Sequence, residues 1–212
     1  MGFDPKKDEQ QKAETRQRII ETGFRIFSEK TIDAVNLTEV AEAAGVGMAT
    51  VYRHFSGKTP LVIAIGAWSW DSFQQDYLQR QSAKRMTGAE DYEFFLDAFI
   101  DLYVNHRDIL RFNQFFNIYV MREGIPEKDV FAPYKKTLLT MTKRFHQTYE
   151  LGKKDGTLKT EAGEKRIFLR SLHLMLAVIT RYSVGLVYEG DEDPKEEIIF
   201  LKDMLLREYV RE

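Results

Sequence analysis

Apolar residues recur at three- and four-residue spacing along almost the whole chain, and capping or breaking signals interrupt that pattern at short intervals. No stretch of useful length alternates apolar with polar, so strands are not expected and the fold class is all-α. In the first stripe, over 12–30, Ile20, Phe24 and Phe27 are spaced by four and three, with Ile19 and Gly23 beside them. Arg18, Glu21 and Arg25 face away. Residues 1–10 are polar and read as a disordered arm.

Asn36-Leu37-Thr38-Glu39 has the form of a capping box, in which Asn36 and Glu39 satisfy each other's amides at a helix start. The helix it opens is short, and Gly45 suits the left-handed turn that ends it. A second short helix follows over about 47–55. Two short helices joined by a glycine turn, behind a supporting first helix, make a three-helix unit. Further helices are expected near 59–85, 89–104, 108–122, 127–154, 161–188 and 194–210. Their breaks carry Gly124 and Pro126, Gly152 and Gly156, and Gly190. Asp193-Pro194-Lys195-Glu196 combines an N-cap with a proline in the first turn. The expected division is 12–58 for the three-helix unit and 59–212 for a larger helical domain.

Charge singles out one segment. The net charge is only −2, which argues against coating nucleic acid by bulk charge. Yet no Asp or Glu occurs between Glu42 and Asp71, although 33 of the 212 residues are acidic. Arg53, His54 and Lys58 lie in that gap, so a local patch can meet phosphates. An uncharged packing segment would leave the same signature.

On a helix over this segment, Val51 and Phe55 point into the core, and Ala49 and Arg53 point outward. Met48 and Tyr52 flank the outward pair on one side, Thr50 and His54 on the other. Such a helix fits the major groove of DNA. Arg53 can donate two bonds to guanine, Thr50 and Tyr52 can bond phosphate, and Ala49 permits close approach. Met48 offers apolar contact, His54 can donate to phosphate or base, and Lys58 supplies a phosphate contact. Thr38 sits near the start of the preceding helix, where a hydroxyl and amides can meet the backbone. From helix pattern alone, a small helical subdomain with no ligand is the better fit.

Residues 16–61 resemble the DNA-binding domain of the TetR family of bacterial transcription regulators. The resemblance rests on Arg16 to Phe27 (R-x-R-I-I-x-x-G-x-x-x-F), Val40–Val46 (V-A-x-x-A-G-V), Thr50–Phe55 (T-V-Y-R-H-F) and the helix start at Lys58 to Leu61, all ungapped. It implies DNA contacts from Thr38, Gly47, Met48, Ala49, Thr50, Tyr52, Arg53, His54 and Lys58. Gly47 stands where Ser is frequent, Met48 where a polar residue is common, and Thr59-Pro60 where an acidic pair is usual. The resemblance also implies that the remaining helices bind a small-molecule effector and form a homodimer on double-stranded DNA. The function it implies is that of a ligand-controlled regulator, most simply a repressor released from its operator.

Aromatic residues are dense between Trp68 and Tyr149. Many must be ordinary core, yet apolar pockets between helices are lined in the same way. The candidate effector residues are Trp68, Phe99, Tyr103, Phe112, Phe116, Tyr119, Tyr134 and Phe145, with Asn113, Asn117 and His146 as polar anchors. They suit an apolar, aromatic or otherwise bulky ligand. The segment 161–188 is apolar on more than one side, so it is either a central core helix or a dimer contact. With the last helix it offers Leu172, Met175, Ile179, Tyr182, Phe200 and Met204 to a four-helix interface.

Other chemistry finds little support. There is no cysteine, and the four histidines lack metal-site spacing, so no metal or cofactor is expected. No nucleophile or phosphate-loop motif argues for an enzyme. The longest apolar run, 61–70, is too short to span a bilayer, and the polar N-terminus is no signal peptide, so a cytoplasmic location is expected. The alternative function is a helical small-molecule carrier without DNA activity.

Overall fold

In the computed structural model, residues 5–81, 86–124, 127–185 and 193–211 are described. Among them run α1 (Pro5–Glu29), α2 (Leu37–Ala43), α3 (Met48–His54), α4 (Lys58–Gln79), α5 (Gly88–Asn105), α6 (Arg107–Glu123), α7 (Lys128–Asp155), α8 (Glu164–Ser183) and α9 (Pro194–Tyr209). No strand occurs among the described residues; Leu158 and Val210 form one isolated bridge. The fold is all-α. Two compact units emerge: 1–71 with 112–136, and 72–111 with 137–212. The division falls inside α4, α6 and α7.

The helix boundaries differ from expectation mainly at three places. The polar segment expected to be a disordered arm is helical from Pro5, while Met1–Asp4 lie outside the described residues. Pro5 presets the first turn, and polar pairs four residues apart carry the helix where no apolar stripe exists. Asp8 and Lys12 pair at 2.6 Å, and Gln10 donates to Glu14 at 2.9 Å. The helix expected over 59–85 ends at Gln79, and 82–85 lie outside the described residues. The helix expected over 161–188 begins at Glu164, because Gly163 takes a φ of 80° before it. It ends at Ser183, followed by Gly185 at a φ of 85°. Residues 186–192 lie outside the described residues.

In the first unit, α2 packs on both α1 and α3. Ile19, Phe27, Val40 and Val51 are fully buried. A connected set of rings continues this core. Phe24 of α1 meets Trp68 of α4 at 5.4 Å and Phe112 of α6 at 5.6 Å. Phe112 meets Phe116, and Phe116 meets Tyr134 of α7 at 4.7 Å. Gly66 lets this last pair lie against α4, since a Cβ there would stand 3.1 Å from Phe116 and 3.3 Å from Tyr134.

In the second unit, α5, α8 and α9 pack on one another. Tyr92 is fully buried, and its hydroxyl bonds Ser171 at 2.7 Å. The start of α5 is pinned to the end of α7. Gly88 and Ala89 donate their amides to Asp155 at 2.7 Å and Thr157 at 2.9 Å. The backbones nearly touch there: a Cβ on Gly88 would stand 2.0 Å from the Gly152 Cα. Asp91, one turn on, is buried and accepts from Arg144 and Thr148 of α7 and from Gln81. Burial alone would raise its carboxyl, but the bonds from Arg144 and Thr148 prevail and hold it below the usual carboxylate value. Lys202 of α9 reaches Glu93 at 2.9 Å and Asp97 at 2.8 Å.

Candidate nucleic-acid interface

The site is built from α2, the turn after it, and α3. The capping box forms: the Asn36 side chain accepts the Glu39 amide at 2.9 Å, and Glu39 accepts the Asn36 amide at 3.1 Å. Gly45 ends α2 with a φ of 65°, a conformation costly for a residue with a Cβ. Val46 then donates back to Ala41 at 3.0 Å, which reverses the chain into α3. Val51 and Phe55 are buried, as the spacing predicts, and this fixes which face of α3 looks outward.

On that face Ala49, Tyr52 and Arg53 are exposed, while Met48, Thr50 and His54 are half-buried. Gly47 is the exposed N-cap of α3, and Thr38 is exposed near the start of α2. Arg53 donates from Nη2 to the Thr50 hydroxyl at 2.9 Å. Among the described residues no carboxylate lies in ion-pair range of Arg53. Burial holds the His54 imidazole below its ordinary value, and the nearby Arg53, Arg16 and Lys12 add to the effect.

Lys58 differs from the others. Its ammonium donates to the Val35 carbonyl at 2.5 Å and lies 5.9 Å from the Phe27 ring centre. It ties the connection between α1 and α2 to α4, and burial lowers its pKa from the usual lysine value. A phosphate contact from Lys58 has to use another of its three N–H groups.

Lys12, Arg16 and Arg18 of α1 add cations that the expected set of DNA contacts did not include. Lys12 and Arg18 line a groove of about 430 Å³ together with Gly47, Thr50, Arg53 and His54, and Asp8 lies at the same groove. Arg16 sits 5.0 Å over the Phe55 ring. All three lie within the helix expected over 12–30, but spacing along α1 does not announce that this face lies beside α3.

The candidate effector residues divide between the two units. Trp68, Phe112, Phe116 and Tyr134 belong to the ring set of the first unit. Burial pushes the Tyr134 phenol up to about 12, against a hydrogen bond with Trp70. Tyr119 is buried, and its hydroxyl bonds Thr59 at 2.8 Å. Asn113 is buried, but Asn117, one turn further along α6, is exposed, so it is no buried anchor. Phe99, Tyr103 and Phe145 are core residues of the second unit. His146 is exposed there and bonds Glu164 at 3.0 Å, which raises its pKa; it too is a surface residue and not an anchor in a pocket.

The residues expected at a dimer contact also divide. Met175 and Ile179 have no exposed surface within the chain, so they are core and have nothing to offer a partner. Leu172 and Tyr182 are half-buried, with the Tyr182 hydroxyl donating to Glu197. Phe200 and Met204 of α9 are 57% and 47% exposed, and Leu174 of α8 is 48% exposed, so apolar surface does remain on both helices.

Comparison with known proteins bears on this geometry. Residues 19–65 match the family model described as bacterial regulatory proteins, tetR family. These residues place the N-terminal part of the chain in the TetR family. An HTH-type transcriptional regulator of Staphylococcus aureus (strain MRSA252) is 28% identical over 98 residues, 46% of this chain and 52% of that protein. The regulator AcrR of Shigella flexneri is 34% identical over 77 residues, 36% of each chain. The matched part thus spans about half of the first relative's length and less of the second's. A Saccharomonospora viridis protein, solved in complex with choline, superposes with a TM-score of 0.74. It covers 94% of this chain and 100% of its own at 16% identity, a likeness of fold. Among the described residues no helix is long and apolar enough to cross a membrane.

Proposed function

We propose that this TetR-family chain is a ligand-responsive transcriptional regulator that binds double-stranded DNA as a homodimer in the cytoplasm. Residues 12–58 serve as its DNA-binding domain and 59–212 as its effector and dimerisation domain. The observation that carries the reading is the outward face of α3: an arginine with no carboxylate partner among the described residues, a turn from the short Ala49 and Thr50, on a helix whose other face is locked into a core. Thr38, Gly47, Met48, Ala49, Tyr52 and His54 surround Arg53 as further contacts, with Lys58 at the edge. The exposed apolar surface of α8 and α9 suits the partner subunit.

The effector is an apolar or aromatic small molecule, and the ring set with buried Asn113 supports that class. The choline-bound neighbour supports a small-molecule site in this fold. Release follows if the ligand binds better when the two α3 helices are not about 34–36 Å apart. No catalytic role is assigned.

Selection of bound duplexes from a random pool by the purified chain tests the reading. Enrichment of one two-fold symmetric site, with binding lost in Arg53→Ala, is expected. No enrichment in any ligand state favours a helical carrier instead. A thermal-shift screen that finds only small polar ligands overturns the effector class.

A further inference from the structure

Thr50 and Arg53 stand three residues apart on α3, so their side chains lie on one face, a turn apart. The bond between them runs from Arg53 Nη2 to Thr50 Oγ1 at 2.9 Å. A guanidinium has five N–H donors in a planar fork. One bond at Nη2 leaves a two-donor edge free, which is what a bidentate contact to guanine O6 and N7 requires.

The surroundings give the bond a purpose. Lys12, Arg18 and His54 line the same groove as Arg53; Asp8 lies there too but pairs with Lys12 at 2.6 Å, and no carboxylate among the described residues pairs with Arg53. Like charges push a loose guanidinium toward solvent, away from any single direction. A carboxylate at position 50 would hold the fork but cancel its charge. A neutral hydroxyl holds it and leaves the charge intact.

Resting on the regulatory reading above, we propose that Thr50 is a positioning residue: it orients the Arg53 fork before DNA arrives and so sets base discrimination, rather than gripping phosphate itself. An arginine directed in the free protein loses less rotamer freedom on docking. That gain is collected only where the base accepts two bonds. A phosphate grip at Thr50 would instead strengthen binding to every sequence alike.

The test uses the full chain and the duplex it selects from a random pool. Binding constants are measured for that duplex, for the same duplex with its guanine steps replaced, and for an unrelated duplex, across a salt series. For Thr50→Val, which keeps the branched shape, the expected result is about tenfold weaker binding to the selected duplex only. The unrelated duplex and the salt slope stay as in wild type. Thr50→Ser restores discrimination. In an Arg53→Ala background, Thr50→Val changes nothing further. Thermal melts establish that each variant is folded, and Thr50→Ala serves as a second hydroxyl deletion if Val disturbs α3. Equal weakening on all duplexes with a lower salt slope, or no effect at all, overturns the inference while leaving the regulatory reading intact. A wild-type chain that selects no sequence overturns both.

Discussion

Arg144 of α7 lies against the Asp91 carboxylate, which also accepts from Thr148 and Gln81. Arg53 of α3 has only a threonine hydroxyl beside it among the described residues. The contrast extends through the two regions. In the second unit Lys202, Arg80 and Arg211 all meet carboxylates. Around α3, Arg53, Arg16 and Lys12 instead lie near His54 and add to the burial that lowers its pKa, and among the described residues only Lys12 of the three has a carboxylate partner, Asp8. Charges that join helices are closed by a partner of opposite sign. Charges left open do nothing for folding and are available to something negative from outside.

The most forceful way to break this comparison is to separate the helices that the closed charges join. Gly88→Val puts side-chain atoms where the Gly152 backbone runs, with even a Cβ only 2.0 Å from its Cα. A loss on the order of 3 kcal/mol or more is expected, read by urea unfolding. Wild-type stability would show that α5 and α7 can part at little cost.

Next comes Asp91→Asn, which keeps the shape and removes the charge. Arg144 then has no carboxylate at a site where its side chain is 22% exposed, and a loss of about 3 kcal/mol is expected. The wild type should show the matching acid sensitivity. Asp91 titrates below its unfolded value, so its contribution is present above the ordinary carboxylate range. It is lost as pH falls through the folded value, and the Asn variant should lack that slope.

Arg53→Ala tests the open side. Stability should move by no more than about 0.5 kcal/mol, because nothing structural depends on the charge. Selective DNA affinity should fall by about 1–3 kcal/mol in a mobility-shift titration. A large loss of stability would erase the distinction between the two regions.

The smallest effects are expected from the two histidines, and their signs are opposite. His54 is depressed by burial and by cations, so its contribution is present above the unfolded value and fades as pH falls through the folded one. His146 is raised by Glu164, so its contribution is complete below the unfolded value and fades as pH rises through the folded one. Melting temperature against pH for His54→Asn and His146→Asn should tilt in opposite directions. Parallel tilts would blunt the contrast.

Much of the fold was legible because its signals are local. The Asn36–Glu39 cap, the Gly45 turn and the Val51–Phe55 spacing each lie within one helical turn of their partners. What was not legible depends on contacts across the chain. Lys58 finds a carbonyl 23 residues away, and nothing near it in sequence announces Val35. Asn113 and Asn117 share a spacing that suggests one face, yet the first is buried and the second exposed. Met175 and Leu174 are neighbours on an apolar helix, and only the placement of α5 and α9 decides which is core. The early start of α1 is held by side-chain pairs, with no apolar stripe to mark it.

The ring set of the first unit has a practical consequence. The chain contains two tryptophans, and both lie on the part of α4 that belongs to this unit. Trp68 abuts Phe24 of α1, and Trp70 shares a hydrogen bond with Tyr134 of α7. Intrinsic fluorescence therefore reports on the surroundings of α1 and α7 without any label. An emission shift on adding a duplex or an effector would register, in the unmodified protein, whether either one disturbs the packing of these rings.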